Sequence, residues 1–269
     1  MYARQLFCIF EALNCLGSTL CYIVKQEKPT VKKAIVEIKI RGLLTTQFLI
    51  SSLFFFFIYI FFVSACTRQA FNLAFLIDGS ASIKNLSPED TSQYKGLIKS
   101  VIRFYNVSKD VLNVGVVVYS TNATAEFQFD KYYTKSEVNT AIDAIVFPGE
   151  FTRAGTGLTA VRNELFANSR SGIPNFLVVV MDGVSIDDIS LPSALLRAMD
   201  VYVLAVGIGD FYAKPQLDEI ANDPDSAYVF EASSYDMLPT LATRIKESIC
   251  NGNVLIELAG RVLYLSIFP

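Results

Sequence analysis

Histidine occurs nowhere in the 269 residues. Its absence excludes Ser-His-Asp and Cys-His nucleophilic sites outright, and with them every zinc site built on imidazole. No Gly-Lys-Ser or Gly-Lys-Thr phosphate loop is present, and Gly207-Ile208-Gly209 lacks the third glycine and the strand-to-helix setting of a dinucleotide fingerprint. Charge is sparse: Asp, Glu, Lys and Arg make up 18% of the chain and the net charge is −3. With no basic cluster between residues 66 and 250, a nucleic-acid partner is not expected.

What the chain does carry is a set of oxygen donors at the ends of apolar runs. The stretch Phe71 to Ile77 reads as a buried strand and leads straight into Asp78-Gly79-Ser80-Ala81-Ser82. The same residue types make ordinary turns, but two further segments carry matching donors. Thr152 stands just ahead of a helical pattern, and Asp182-Gly183 closes the run Asn175 to Met181. Carboxylate and hydroxyl oxygens suit hard cations, and an open α/β sheet binds ligands beyond the carboxyl ends of its strands. A metal-dependent phosphotransfer enzyme would need a further carboxylate as nucleophile or base. Serines stand in those places, so the reading is a binding protein, not an enzyme.

These segments, with Val114-Gly115-Val116-Val117-Val118-Tyr119-Ser120 and Val203-Leu204-Ala205-Val206-Gly207-Ile208-Gly209, resemble the von Willebrand factor type A domain family. That family includes the A domains of matrilins and collagens and the integrin inserted domain. The resemblance implies a metal-ion-dependent adhesion site, with Ser80, Ser82 and Thr152 as ligands and Asp78 and Asp182 holding the ion directly or through water. It implies a divalent cation, Mg²⁺ first, with Mn²⁺ or Ca²⁺ as alternatives. The partner it implies is an extracellular matrix or cell-surface protein whose Asp or Glu completes the ion's shell. A structural matrix-assembly module, in which the ion only braces the loops, is the alternative. Two positions depart from the family pattern, Ala154 and Met181 standing where threonines are frequent; this bears on the bonds around the ligands more than on the ligands themselves. Thr156 is the other choice for the threonine ligand, should the loop be longer than the family's.

Four regions follow along the chain. Residues 1–46 show no repeat or motif, and Cys8, Cys15 and Cys21 there lack metal-ligand spacing. Residues 47–65 carry no charge, and between Lys25 and Arg41 six Lys or Arg face two Glu. With Val63-Ser64-Ala65 ahead of Cys66, this segment reads as a secretory signal, or as a signal-anchor helix giving membrane anchorage. Either puts the domain outside the cytosol, secreted or on a single-pass membrane protein. Residues 66–250 form the A domain, and 251–269 read as a tail with Glu257 and Arg261 inside it. Several members of the resembled family tie their termini by a disulfide, which implies a Cys66–Cys250 bridge here. Asn85, Asn106 and Asn122 head Asn-x-Ser/Thr glycosylation patterns.

Short Val, Leu and Ile-rich runs near 71–77, 112–119, 175–181 and 201–207 are expected to be parallel strands covered on both faces. Thr124 to Phe129 is expected as an antiparallel edge strand. Helices are expected from Pro88, from Ser136, over 154–168 and over 235–248. The fold class is therefore α/β, a doubly wound, mostly parallel open sheet with helices on both faces. The pair Asp187-Asp188 reads as a solvated loop or helix cap.

Overall fold

The structure, a computed structural model, describes residues 69–267. The extension 1–46, the apolar segment 47–65 and Cys66 lie outside the described residues. A six-stranded sheet runs in the order β3-β2-β1-β4-β5-β6. Its strands are β1 (Phe71–Asp78), β2 (Leu112–Tyr119), β3 (Ala123–Phe127), β4 (Asn175–Met181), β5 (Val201–Ile208) and β6 (Val229–Ala232). All pairings are parallel except β2 with β3.

Every residue of β1 and β2 is buried, as continuous apolar runs covered on both faces require. On the edge strand β3 the residues alternate between half-buried and exposed until Phe127, which is the period-two pattern of a strand with one wet face. A register irregularity between Val116, paired with Phe127, and Val117, paired with Ala125, skips Glu126, as a bulge in β3 does.

Helices α1 (Ala81–Lys84), α2 (Pro88–Ile102), α3 (Lys135–Ala144), α4 (Ala154–Ala160), α5 (Ser190–Ala198), α6 (Lys214–Ile220), α7 (Asp225–Tyr228) and α8 (Leu238–Ile267) connect the strands. Local chemistry starts two of them. Ser87 caps α2 by accepting from the Asp90 N–H, with Pro88 in the first turn and Glu89 and Asp90 beside the helix N-terminus. Thr134 and Glu137 form a reciprocal capping box on α3. Helix α2 packs with α3 and α8, and α4 packs with α5, so helices cover both faces of the sheet.

Two expected helices differ in detail. The helix over 154–168 is α only through Ala160, then continues as a π turn (Val161–Leu165) and a 3-10 turn (Phe166–Asn168). The final helix begins after a 3-10 turn at Tyr235–Met237 and runs through Ile267, into the stretch read as a tail. No proline stands between Pro239 and Pro269 to stop it. Strand β6 and helices α1, α5, α6 and α7 had no sequence counterpart. Among the described residues no helix is long and apolar enough to cross a membrane.

The chain leaves β1 toward β2 and later returns on the other side of β1 as β4. The crevice at this reversal lies beyond the ends of β1 and β4. Asp78 is the last residue of β1, and Asp182 directly follows β4.

Candidate metal-ion site

Asp78 is fully buried. Its Oδ1 accepts the Ser80 N–H at 2.7 Å and its Oδ2 accepts the Tyr119 hydroxyl at 3.1 Å. Tyr119 faces Asp78 across the β1–β2 register, and its hydroxyl lies 3.4 Å from the Val180 carbonyl, so one phenol bridges three strands. The Asp78 carbonyl accepts from Tyr94 of α2 at 3.0 Å. Burial, and then the charge of Asp182, push the Asp78 carboxyl up to about 7. Burial, and then the charge of Asp78, raise the Tyr94 and Tyr119 hydroxyls well above their ordinary range.

Ser80 is buried and Ser82 is exposed, and their hydroxyl oxygens lie 3.0 Å apart. One residue, Ala81, separates them, Ser80 being the extended residue that precedes α1 and Ser82 lying in the first turn of that helix.

Asp182 is buried as well. Its Oδ2 accepts the Tyr235 hydroxyl at 3.1 Å, whereas its Oδ1 is buried without a hydrogen-bond partner among the described residues. A buried carboxylate oxygen without a partner is costly. The next residue is Gly183, and a side chain there would meet the Thr152 Oγ1 at 3.6 Å. The Thr152 hydroxyl is thereby placed beside the Asp182-Gly183 corner.

Segment 147–156 is strapped to the loops after β1 and β2. Gly149 donates to the Gly79 carbonyl at 2.8 Å, Ala81 donates to the Glu150 carbonyl at 3.0 Å, and Arg153 donates to the Ser120 carbonyl at 3.1 Å. Gly149 has φ of +84°, and a Cβ there would lie 2.0 Å from the Lys84 Cδ, so only glycine fits. Beyond Thr152, helix α4 has no side-chain cap of its own at Arg153. Asp187 supplies it from the β4 side, accepting from the Gly155 N–H (2.9 Å), the Thr156 N–H (2.7 Å), the Thr156 hydroxyl (2.8 Å) and the Ser185 hydroxyl (2.7 Å). Burial works against this carboxylate, but the bonds from Ser185, Thr156 and the Gly155 N–H hold its pKa below the ordinary value.

The fold thus places Asp78, Ser80, Ser82, Thr152 and Asp182 at one edge of the sheet. Thr156 is committed to Asp187. Asp187 caps α4 from a distance, while Asp188 accepts from the Ser190 N–H at 3.0 Å and caps α5 locally. Sequence reasoning passed over Tyr94, Tyr119 and Tyr235, because a tyrosine within a helix, at a strand end or before a helix is ordinary core. Among the described residues no group of three or more His, Cys, Asp and Glu could hold a metal; any ion here depends on hydroxyls. Asn85, Asn106 and Asn122 are exposed. Cys250 is buried and disulfide-bonded, and its expected partner Cys66 lies outside the described residues.

The family model of the von Willebrand factor type A domain matches residues 72–244. Similar curated proteins include the collagen alpha-4(VI) chain of Mus musculus, 31% identical over 189 residues, which are 69% of this chain and 8% of that protein. The collagen alpha-5(VI) chain of Homo sapiens is 32% identical over 188 residues, 69% of this chain and 7% of that protein. Vitrin of Bos taurus is 28% identical over 189 residues, covering 69% and 28%. The chain therefore spans under a tenth of the two collagen chains. Among solved structures, proximal thread matrix protein 1 from the mussel byssus, with zinc occupied MIDAS motif, aligns with a TM-score of 0.64 and 28% identity over 69% of this chain and 46% of that one. These relatives are extracellular matrix proteins, and the domain is extracellular.

Proposed function

This chain belongs to the von Willebrand factor type A domain family, and from that premise we propose that it is a cation-dependent protein-binding module of the extracellular matrix. The observation that carries this reading is the buried Asp182 Oδ1, without a partner among the described residues, beside a second buried carboxylate whose proton affinity is raised by burial and by Asp182. A divalent cation relieves both costs at once. Asp78, Ser80, Ser82, Thr152 and Asp182 would hold it, an all-oxygen set that suits Mg²⁺ or Mn²⁺.

When bound, the ion offers an open position to a partner's Asp or Glu, since three neutral hydroxyls and two carboxylates leave it less fully neutralised than a carboxylate cage would. The chain's own residues orient the set. Tyr119 and Tyr235 fix the two carboxylates, and Asp187 fixes the Thr152 loop. The engagement of the Thr156 hydroxyl by Asp187 favours Thr152 as the ligand.

The matrix character of the collagen and byssus relatives favours a second reading, a matrix-assembly module in which the ion braces the loops. A Cys66–Cys250 disulfide and glycans on the exposed Asn85, Asn106 and Asn122 fit either reading. Calorimetric titration of Mg²⁺, Mn²⁺ and, given the mussel protein, Zn²⁺ tests the ion site. One saturable site, lost when Ser80→Ala and Asp182→Ala are combined, is expected. No binding by the folded protein would remove the adhesion mechanism.

A further inference from the structure

We propose that the partner of the ion face presents its carboxylate next to a large apolar side chain, which Phe151, Val184, Ile186 and Phe211 receive. This inference rests on the ion-site reading above and goes on to the chemistry of the partner.

The four side chains are 67%, 49%, 62% and 82% exposed, respectively. Their loops all belong to the edge of the sheet that bears Asp78 and Asp182. Phe151 directly precedes Thr152, Val184 and Ile186 follow Asp182 within four residues, and Phe211 lies three residues past β5. Hydrogen bonds tie the loops to one another. Ile186 donates to the Thr152 carbonyl at 3.0 Å. The Gln216 side chain accepts from the Ser185 N–H at 2.8 Å and donates to the Ser185 carbonyl at 3.0 Å, joining the segment after β5 to the loop after β4. Ser185 is itself buried, and its two chain neighbours are the exposed Val184 and Ile186. The loop after β4 is therefore tied to the Thr152 loop and to α6 before any partner arrives, which limits the backbone ordering cost of binding.

Charge narrows the occupant further. Asp188 and Asp210 are exposed on the same two loops, with Arg153 exposed beside Phe151. Two carboxylates on the rim disfavour a ligand carrying several acidic groups. A ligand that set polar groups against Phe151 and Phe211 would strip water from them without supplying a partner. The fitting occupant is a protein segment with one Asp or Glu and a Phe, Tyr, Leu or Ile within about two residues of it. Discrimination then comes from a repulsive and an attractive element together.

The test is to pan a random linear peptide library on phage over the immobilised protein in Mg²⁺ and elute with EDTA. The eluted pool should pair an acidic residue with a neighbouring large apolar one. Ile186→Ser and Phe211→Ser should each weaken the synthesised consensus peptide about tenfold while leaving the Mg²⁺ titration unchanged. Acidic peptides without apolar enrichment, or affinities that both substitutions leave intact, would overturn the inference and keep the ion site. An empty EDTA pool from a protein that binds Mg²⁺ would overturn it equally. Failure of the unaltered protein to bind Mg²⁺ would remove the ion reading and this inference with it.

Discussion

The Asp187 carboxylate accepts both the backbone N–H and the hydroxyl of Thr156, at 2.7 and 2.8 Å, across a sequence separation of 31. It joins the loop after β4 to the first turn of α4 and so fixes the corner where Thr152 stands. Asp187→Ala should cost about 2 kcal/mol, as loss of a cap together with newly unpaired N–H groups does. Urea unfolding measures it. Cation affinity should fall as well, and a variant with unchanged affinity would mean that the clamp serves stability alone.

Two glycines in helices should respond in opposite directions. A Cβ on Gly155 would lie 1.9 Å from the Asp188 carbonyl oxygen, a backbone atom, whereas one on Gly96 in α2 meets nothing within 4 Å. Gly96→Ala should stabilise by about 0.5–1 kcal/mol through helix propensity. For Gly155→Ala the clash outweighs that gain, and a net loss of about 1–3 kcal/mol is expected. Paired thermal melts decide the matter, and equal shifts would contradict the close approach of α4 to the Asp188 backbone.

The raised Asp78 carboxyl sets a pH dependence. Its folded pKa of about 7 lies above the ordinary 3.8, so between those values the folded state binds more protons than the unfolded state. Stability of the cation-free protein should therefore decline as pH rises from about 4 to 7 and level off above, by a few kcal/mol at most. Saturating Mg²⁺ at pH 8 should restore it. Asp78→Asn should remove the slope and raise the cation-free melting temperature while abolishing cation binding, a gain in stability at the expense of function. Stability that increases with pH over this window in EDTA would be the contrary result.

Tyr235 supplies the one hydrogen bond to Asp182 Oδ2 that the described residues show. Tyr235→Phe should lower stability by about 1–2 kcal/mol and weaken the cation about tenfold, as loss of a group orienting a ligand does. Calorimetry on the variant, beside its melting curve, separates the two effects.

The strands legible in the sequence were those buried on both faces. β1, β2, β4 and β5 are runs dominated by Val, Leu, Ile and Phe, and the edge strand expected over 124–129 is found as β3 over Ala123–Phe127. β6 is four residues long with Glu231 exposed within it, too short and too polar for any pattern to stand out. Helix α5 has Leu191, Leu195 and Met199 exposed at or just past its span, so its apolar periodicity does not mark the face that it buries. The switch from α to π winding after Ala160 leaves no local mark either.

The sequence by itself determined where the proposed donors stand along the chain, because Asp78, Ser80 and Ser82 share one loop and Thr152 and Asp182 each sit at an element boundary that local patterning reveals. Tertiary structure alone decided what surrounds those oxygens. Tyr119, Tyr235 and Asp187 act across 41, 53 and 31 residues of chain, and such pairs meet only once the strands and the segments between them are assembled around one sheet. Periodicity and turn chemistry are local properties of a chain, whereas strand order is settled by how the whole hydrophobic surface is buried.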